Sequence, residues 1–367
     1  MRLSSVQYRS FPFACECSIV DSSQEIAMSS PATMRAAVVE SHGAPFRIAT
    51  ISRPEPGPGQ VLVRVAASGV NPLDLKIHAG TAAHARHPLP AILGLDMAGT
   101  VEAVGPGVSG MRVGDEVYGM TGGVGGHQGS LAEYQVADAN LLAPKPANLS
   151  MREAASLPLV AITAWEGLVD RARVGSGQLV LVHGGAGGVG QAAVQIARAF
   201  GAEVFATGSG VNRSVITRLG ATFIDYRSET VADYVERHTA GRGFDLVYDT
   251  VGGATLDASF EAVRRFGHVV SALGWGKHAL APLSFKAGTY SGVFTLLPLL
   301  TGEGRAQHGE ILRAVTQFVE AGRISPRLDA HVFEFDMIDA AYRAVATGAS
   351  NGKVVVSMDR AAPLGPR

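Results

Sequence analysis

The run VLVHGGAGGVGQAAVQIARAFGAEVFAT, from Val180 to Thr207, admits few folds, because strand, glycine turn, helix and second strand follow one another without interruption. Gln178 to Val182 is short and mostly apolar. Gly185, Gly187 and Gly190 then spell G-x-G-x-x-G. In such a turn the first glycine permits tight curvature, the second lets backbone approach a pyrophosphate, and the third lets helix pack closely on strand. Val189, Ala192, Ala193, Ile196, Ala197 and Phe200 fall on one helical stripe, which Gly201 closes. A glycine-rich turn in some other α/β protein is the bland alternative. The flanking strand and helix favour a dinucleotide cradle, with phosphates at the helix's positive end.

About twenty residues past the first glycine, a carboxylate would accept hydrogen bonds from a ribose 2′-hydroxyl. The second strand instead ends Ala206, Thr207, Gly208, Ser209, Gly210, and Arg213 and Arg218 follow. No carboxylate in that run repels a 2′-phosphate, and a guanidinium suits one, so NADPH is expected over NADH. Each arginine taken alone is equally well explained as part of a solvated helix face.

A chain of 367 residues, 47% hydrophobic and 17% charged, buries a large core and exceeds one ordinary domain, so two are expected. The net charge of −1 supplies neither a basic stripe for nucleic acid nor a polybasic segment for an anionic membrane. Cys15 and Cys17 are the only cysteines, which excludes a disulfide framework or cysteine-rich zinc lobe in the body and suggests a reducing, cytoplasmic compartment. The apolar stretches Leu157 to Trp165 and Val293 to Leu300 contain Pro158 and Pro298 and read as core rather than membrane spans.

Residues 1–33 have scattered serines and no periodicity, and read as a disordered extension. Translation beginning at Met28 or Met34 accounts for them equally well, and a transit peptide is a third account. From Met34 to about Pro146 short alternating segments are punctuated by glycine and proline: Val61 to Ala67, Gly99 to Val104, Asp115 to Tyr118, Leu131 to Val136. From about Leu157 strands alternate with helices, with Leu246 to Asp249 and His268 to Leu273 as further buried strands, the pattern of a parallel doubly wound sheet. A helix near Ile311 to Ala321 and a strand-like end at Lys353 to Met358 follow, then a loose tail.

GVNPLD (Gly69 to Asp74), GLDMAGTVEAVGPGV (Gly94 to Val108), GDEVYG (Gly114 to Gly119), HGGAGGVG, FDLVYDTVGG (Phe244 to Gly253) and NGKVVV (Asn351 to Val356) occur in an order and spacing that resemble the medium-chain dehydrogenase/reductase superfamily over nearly all of Met34 to Met358. Within it the chain looks like the zinc-independent quinone oxidoreductase branch. The resemblance implies an α/β protein: a β-rich GroES-like catalytic domain over 34–156, completed by 296–358, and a Rossmann NADP-binding domain with a doubly wound parallel sheet over 157–295, followed by a tail at 359–367.

In the zinc alcohol dehydrogenases a cysteine stands where this chain has Asn71, and a histidine where Gly94 is followed by Leu95 and Asp96. No cysteine lies near Leu157 to Thr163 for a third ligand, so no metal is expected. Without a Lewis acid, the suitable acceptors are those whose own π system absorbs charge, namely quinones, 2-alkenals and other enones. The cofactor carries the redox chemistry, and the protein positions the partners and excludes water.

Carried over from the family, Gly185, Ala186, Gly187, Gly188, Val189 and Gly190 are expected to form the pyrophosphate turn. Ser209, Arg213 and Tyr226 are expected at the adenosine 2′-phosphate, with Arg213 substituting for the lysine many relatives carry there. Asn71 and Thr163 are expected at the nicotinamide end as catalytic-site residues, and Lys353 on the segment that returns to it. The bland alternatives are a core tyrosine and turn or capping hydroxyls. Enoyl reductases of the superfamily often carry a tyrosine acid after the N-P-x-D turn; Leu75 to Pro88 has Lys76, His78, His84 and His87 but none, which disfavours acyl thioesters. Those histidines read as a solvated loop cluster, His183 as structural, and Asp96 and Glu116 as makers of structural hydrogen bonds.

Trp275 and Phe294 are candidates for an acceptor pocket, and Tyr290 to Leu297 for a sheet edge through which a homodimer forms. Two alternatives stand beside the reductase: a non-catalytic NADPH-binding redox sensor, since a cofactor fold does not imply turnover, and a zinc alcohol dehydrogenase.

Overall fold

The computed structural model describes residues 32–358. The extension and the tail expected to be loose lie outside the described residues, apart from Ala32 and Thr33. The first strands are β1 (Thr33–Val39), β2 (Arg47–Ser52), β3 (Gln60–Gly69), β4 (Ala91–Ile92), β5 (Asp96–Val104), β6 (Glu116–Met120), β7 (Tyr134–Asp138) and β8 (Leu142–Pro144). Then come β9 (Leu179–His183), β10 (Glu203–Gly208), β11 (Thr222–Asp225), β12 (Phe244–Asp249), β13 (Val263–Ser271) and β14 (Thr289–Gly292), and finally β15 (Phe333–Glu334) and β16 (Val355–Ser357).

The early and final strands build a sheet in the order β15-β16-β3-β5-β6-β8, with β7 also on β3, beside a small sheet β2-β1-β4. Three strands converge where β3 ends: Gly69 is in register with Asp96 of β5 and with Val355 of β16. That junction sets Asn71, Asp96 and Lys353 side by side although 282 residues separate the first and last. The strand expected at Leu131 starts only at Tyr134, because Leu131 to Glu133 serve other partners: Leu131 N–H donates to the Leu93 carbonyl and Ala132 bridges to Ala36 of β1.

The second sheet is wholly parallel, in the order β11-β10-β9-β12-β13-β14. Counted within the sheet this is 3-2-1-4-5-6, the doubly wound order whose switch point, between β9 and β12, opens a crevice at the strands' carboxyl ends. Leu179–His183 is buried over its last four residues, as a strand covered by helices on both faces must be. The helix Gly188–Ala199 turns Ala192, Ala193, Ile196 and Ala197 inward, as its stripe predicts. The edge strand β14 is shorter than the sequence suggests: it stops at Gly292, and Phe294 to Leu297 leave the sheet, Phe294 and Leu296 lining the cleft.

Both sheets share one hydrophobic core, which includes Val63 and Val101 of the first, Val182 and Leu246 of the second, and Ile162 and Leu312 of the helices between. Each fully buried aliphatic side chain contributes about 1.5–3 kcal/mol to such a core. The helix Pro158–Trp165 runs through it and continues as a π-helical turn, Glu166–Arg171. No helix among the described residues is long and apolar enough to cross a membrane.

Candidate active site

The glycine turn follows β9 directly. Positive φ (73°) belongs to Gly184 rather than Gly185, so the tight bend comes one residue earlier than the fingerprint suggests. Thr207 at the end of β10 pins it: its carbonyl accepts Gly185 N–H at 3.0 Å and its Oγ1 accepts Gly184 N–H at 3.2 Å. Gly190 packs against the Gly184 carbonyl so closely that a Cβ would overlap the oxygen, which is the helix-on-strand approach the third glycine permits. Ala186, Gly187, Gly188 and Val189 line a cleft of about 560 Å³. The helix's first-turn N–H groups have no intrahelical acceptor and point their partial positive charge at that wall. These features fit a dinucleotide pyrophosphate.

Ser209, Arg213 and Tyr226 are not among the residues lining the cleft, whereas Asn212, next to Arg213 in the chain, is. Ser209 Oγ accepts Asn212 Nδ2–H at 3.2 Å, the Arg213 guanidinium lies 4.3 Å over the Phe223 ring, and Tyr226 is 55% exposed. One further group there lies outside the run that follows Thr207. Asp225 of β11 is in register with Gly208, so the neighbouring strand supplies beside the end of β10 the carboxylate that the run after Thr207 lacks.

The opposite end of the cleft holds a buried polar cluster. Asn71 Nδ2 donates to Asp96 Oδ2 at 3.0 Å, and its Oδ1 accepts from Lys353 Nζ at 2.5 Å. Lys353 also donates to the Val70 carbonyl and stands 4.0 Å from Asp96. Asp96 Oδ1 accepts Leu159 N–H, tying β5 to the helix Pro158–Trp165, so the expectation of structural hydrogen bonds is only half its role. Asp74 Oδ2 accepts Asn71 N–H at 2.8 Å, and its Oδ1 has no hydrogen-bond partner among the described residues. Burial pushes Asp74 up to about 7 and Asp96 up to about 6, the latter restrained by Lys353; burial likewise lowers Lys353. Glu116, by contrast, sits outside, paired with Lys145 at 3.2 Å.

Thr163, on the helix Pro158–Trp165, donates from Oγ1 to the Leu159 carbonyl at 2.7 Å and lies 3.0 Å from Thr295 Oγ1; both threonines line the cleft. His183 is buried at the end of β9 with Nδ1 on Thr207 Oγ1, and burial lowers its pKa to about 4.

Beyond this cluster the cleft reaches an aromatic wall. His84 packs 5.2 Å from Trp275 and 6.1 Å from Phe294, and Trp275 meets Phe294 edge-on at 6.0 Å. All three also line a second chamber of about 540 Å³, where Arg86, Tyr290 and Thr301 add polar groups. The histidines thus do not form one solvated cluster: His84 faces the chambers, His78 stacks on Phe46 with Nε2 at the Ala44 carbonyl, and His87 is half-buried. The differing anchors of 78, 84 and 87 follow from the short helix Pro72–His78 ending between them.

The residues at the position of a catalytic zinc do not fit one. Leu95 is fully buried and has no donor, Asn71 is engaged on both sides, and the local cation is the Lys353 ammonium. Among the described residues no group of three or more His, Cys, Asp or Glu could hold a metal.

Residues 57–147 match the alcohol dehydrogenase GroES-like domain and residues 219–356 match a zinc-binding dehydrogenase family. The chain is 37% identical to a 2-methylene-furan-3-one reductase of Solanum lycopersicum, over 81% of this chain and 71% of that protein. It is 34% identical to an NADPH-dependent alkenal/one oxidoreductase of Arabidopsis thaliana, over 83% and 73%. Among solved structures, an alcohol dehydrogenase superfamily protein from Novosphingobium aromaticivorans is 59% identical with a TM-score of 0.87, covering 89% of this chain and 100% of its own. The quinone oxidoreductase from Coxiella burnetii is 28% identical with a TM-score of 0.76, over 89% and 100%. The chain is therefore an oxidoreductase and belongs to the medium-chain dehydrogenase/reductase superfamily, on the branch of the zinc-independent quinone oxidoreductases.

Proposed function

We propose that the protein transfers hydride from NADPH to a conjugated carbonyl, a 2-alkenal or enone, or to a quinone, without zinc. One observation carries this: a single cleft joins the glycine turn at Gly187 to Val189, the polar end at Asn71, Thr163 and Lys353, and the aromatic wall at Trp275 and Phe294. The bound cofactor would supply hydride at C4 of its nicotinamide. Ala186 to Val189, with Gly185 and Gly190 shaping the turn, would hold its pyrophosphate, and Ser209, Arg213 and Tyr226 its 2′-phosphate. Asn71 and Thr163 would orient the nicotinamide end. Lys353 places a positive charge, shared with Asp96, where negative charge develops on the acceptor oxygen.

In this proposal 34–156 with 296–358 forms the acceptor-side domain and 157–295 the cofactor domain. The exposed edge of β14, where Tyr290 is 39% accessible, pairs with a second copy in a cytoplasmic homodimer. The test is oxidation of NADPH and, in parallel, NADH by the purified protein with a 1,4-quinone and with a simple enone, in chelator-treated buffer. Turnover favouring NADPH with either acceptor is expected. Tight NADPH binding without turnover on either would overturn the reductase and leave the sensor.

A further inference from the structure

We infer that Glu166 is the proton reservoir of the reaction, acting on the acceptor through the Thr295 hydroxyl. This rests on the conjugated-carbonyl activity proposed above. Glu166 opens the π-helical turn that follows Pro158–Trp165. Such turns are rare and concentrate at functional sites. Gly167 next to it lies against the Tyr248 ring, and Tyr248 Oη donates to the Thr163 carbonyl at 2.6 Å, so the turn is clamped to the helix that carries Thr163.

Thr295 Oγ1 donates to Glu166 Oε2 at 3.0 Å and stands 3.0 Å from Thr163 Oγ1. Thr163 has spent its single proton on the Leu159 carbonyl. The Thr295 proton therefore has two acceptors and can serve one at a time. With Glu166 ionised, that proton faces the carboxylate. With Glu166 protonated, the carboxyl donates to Thr295, and the hydroxyl proton turns towards Thr163 and the cleft both threonines line. The Glu166 side chain is 17% exposed, which opens it to reloading from solvent, and His308 Nε2 from the helix Arg305–Glu320 lies 3.4 Å from its Oε1. Asp170 on the same turn and Tyr248 of β12 are its other titratable neighbours.

The proton balance is complete. An enone takes hydride at its β-carbon, and its C=C pair moves onto the α-carbon and carbonyl oxygen as an enolate. The enolate takes the Thr295 hydroxyl proton, Thr295 takes the Glu166 carboxyl proton, and water reprotonates the carboxylate. One enone, one NADPH and one proton give one saturated carbonyl compound and one NADP⁺. A quinone needs less, because the hydroquinone anion formed by hydride addition is a stable oxyanion that solvent protonates.

The two acceptors therefore separate a proton donor from a structural brace. Glu166→Gln keeps the side chain's size and an oxygen for Thr295. It should lower kcat on an enone about 100-fold with KM unchanged, while the quinone rate stays within about threefold. In D₂O the wild type should place deuterium on one face of the α-carbon of a 2-substituted enone, and the variant should lose that selectivity. NADPH binding, read by nicotinamide fluorescence, should not change. Thr295→Val, which keeps the carboxyl and removes the hydroxyl, must reproduce the same split. Equal losses on both acceptors, no loss on the enone, or retained facial selectivity in both variants would overturn the assignment. A wild type that reduces quinones but no enone would also overturn it, whereas a wild type that reduces neither would first remove the activity it rests on.

Discussion

Asp74→Asn should reshape the stability of the protein between pH 5 and pH 8. The carboxyl is buried, one oxygen accepting Asn71 N–H and the other without a partner among the described residues, and burial raises its pKa from 3.8 to about 7. The unfolded chain releases this proton near 3.8 and the folded chain keeps it until about 7, so over that window the unfolded state binds fewer protons and stability falls as pH rises. At 1.36 kcal/mol per pH unit the full loss is about 4 kcal/mol, complete above pH 7, of which about 1.5 kcal/mol is already gone at pH 5. Asparagine keeps an acceptor for Asn71 N–H but leaves an unpartnered amide donor, a cost of about 1–3 kcal/mol that is the same at every pH. Urea unfolding of both proteins at pH 5 and pH 8 separates the two effects. The variant should gain about 2–3 kcal/mol on the wild type between those values, whatever its starting deficit. A difference that stays constant from pH 5 to pH 8 would refute the assignment of a neutral Asp74 and, with it, the electrostatics drawn for the Asn71 and Lys353 cluster.

Arg213→Glu should weaken NADPH binding about 10- to 100-fold and NADH binding little, as fluorescence titration would show; equal losses would remove Arg213 from the 2′-phosphate site and turn attention to Asp225. Trp275→Ala should cut kcat/KM for an aryl-substituted enone about 3- to 10-fold relative to methyl vinyl ketone, because the larger acceptor alone reaches the aromatic wall. An equal effect on both would mean that acceptors do not enter the second chamber.

What the sequence discloses is what depends on near neighbours. The glycine turn, its strand and its helix are one contiguous stretch, and the parallel order around β9 follows from such units repeating. The missing zinc ligands were also visible at Asn71 and Leu95. Contacts made across registers were not. Asp225 reaches the end of β10 because β11 lies beside it, a fact no window around Gly208 contains. Glu166 reads as one polar residue after a helix, and only the π turn and the chain from Gly292 to Leu296 bring it to Thr295. The three histidines between 78 and 87 share composition but differ in the surfaces they meet, so proximity in sequence misgrouped them.

The last strand also has a bearing on how the molecule is made. β16 and the neighbouring Lys353 belong to the final stretch of the described chain, yet they complete a sheet begun at β3 and supply the charge that Asp96 and Asn71 face. A ribosome will have finished the parallel sheet, through Gly292, long before these residues emerge. The nucleotide cradle can thus take shape while the end of β3 still presents unpaired backbone, an edge open to other strands. A chain cut short before Gly352 would keep its glycine turn but would neither close that edge nor bring the Lys353 ammonium to Asn71 and Asp96.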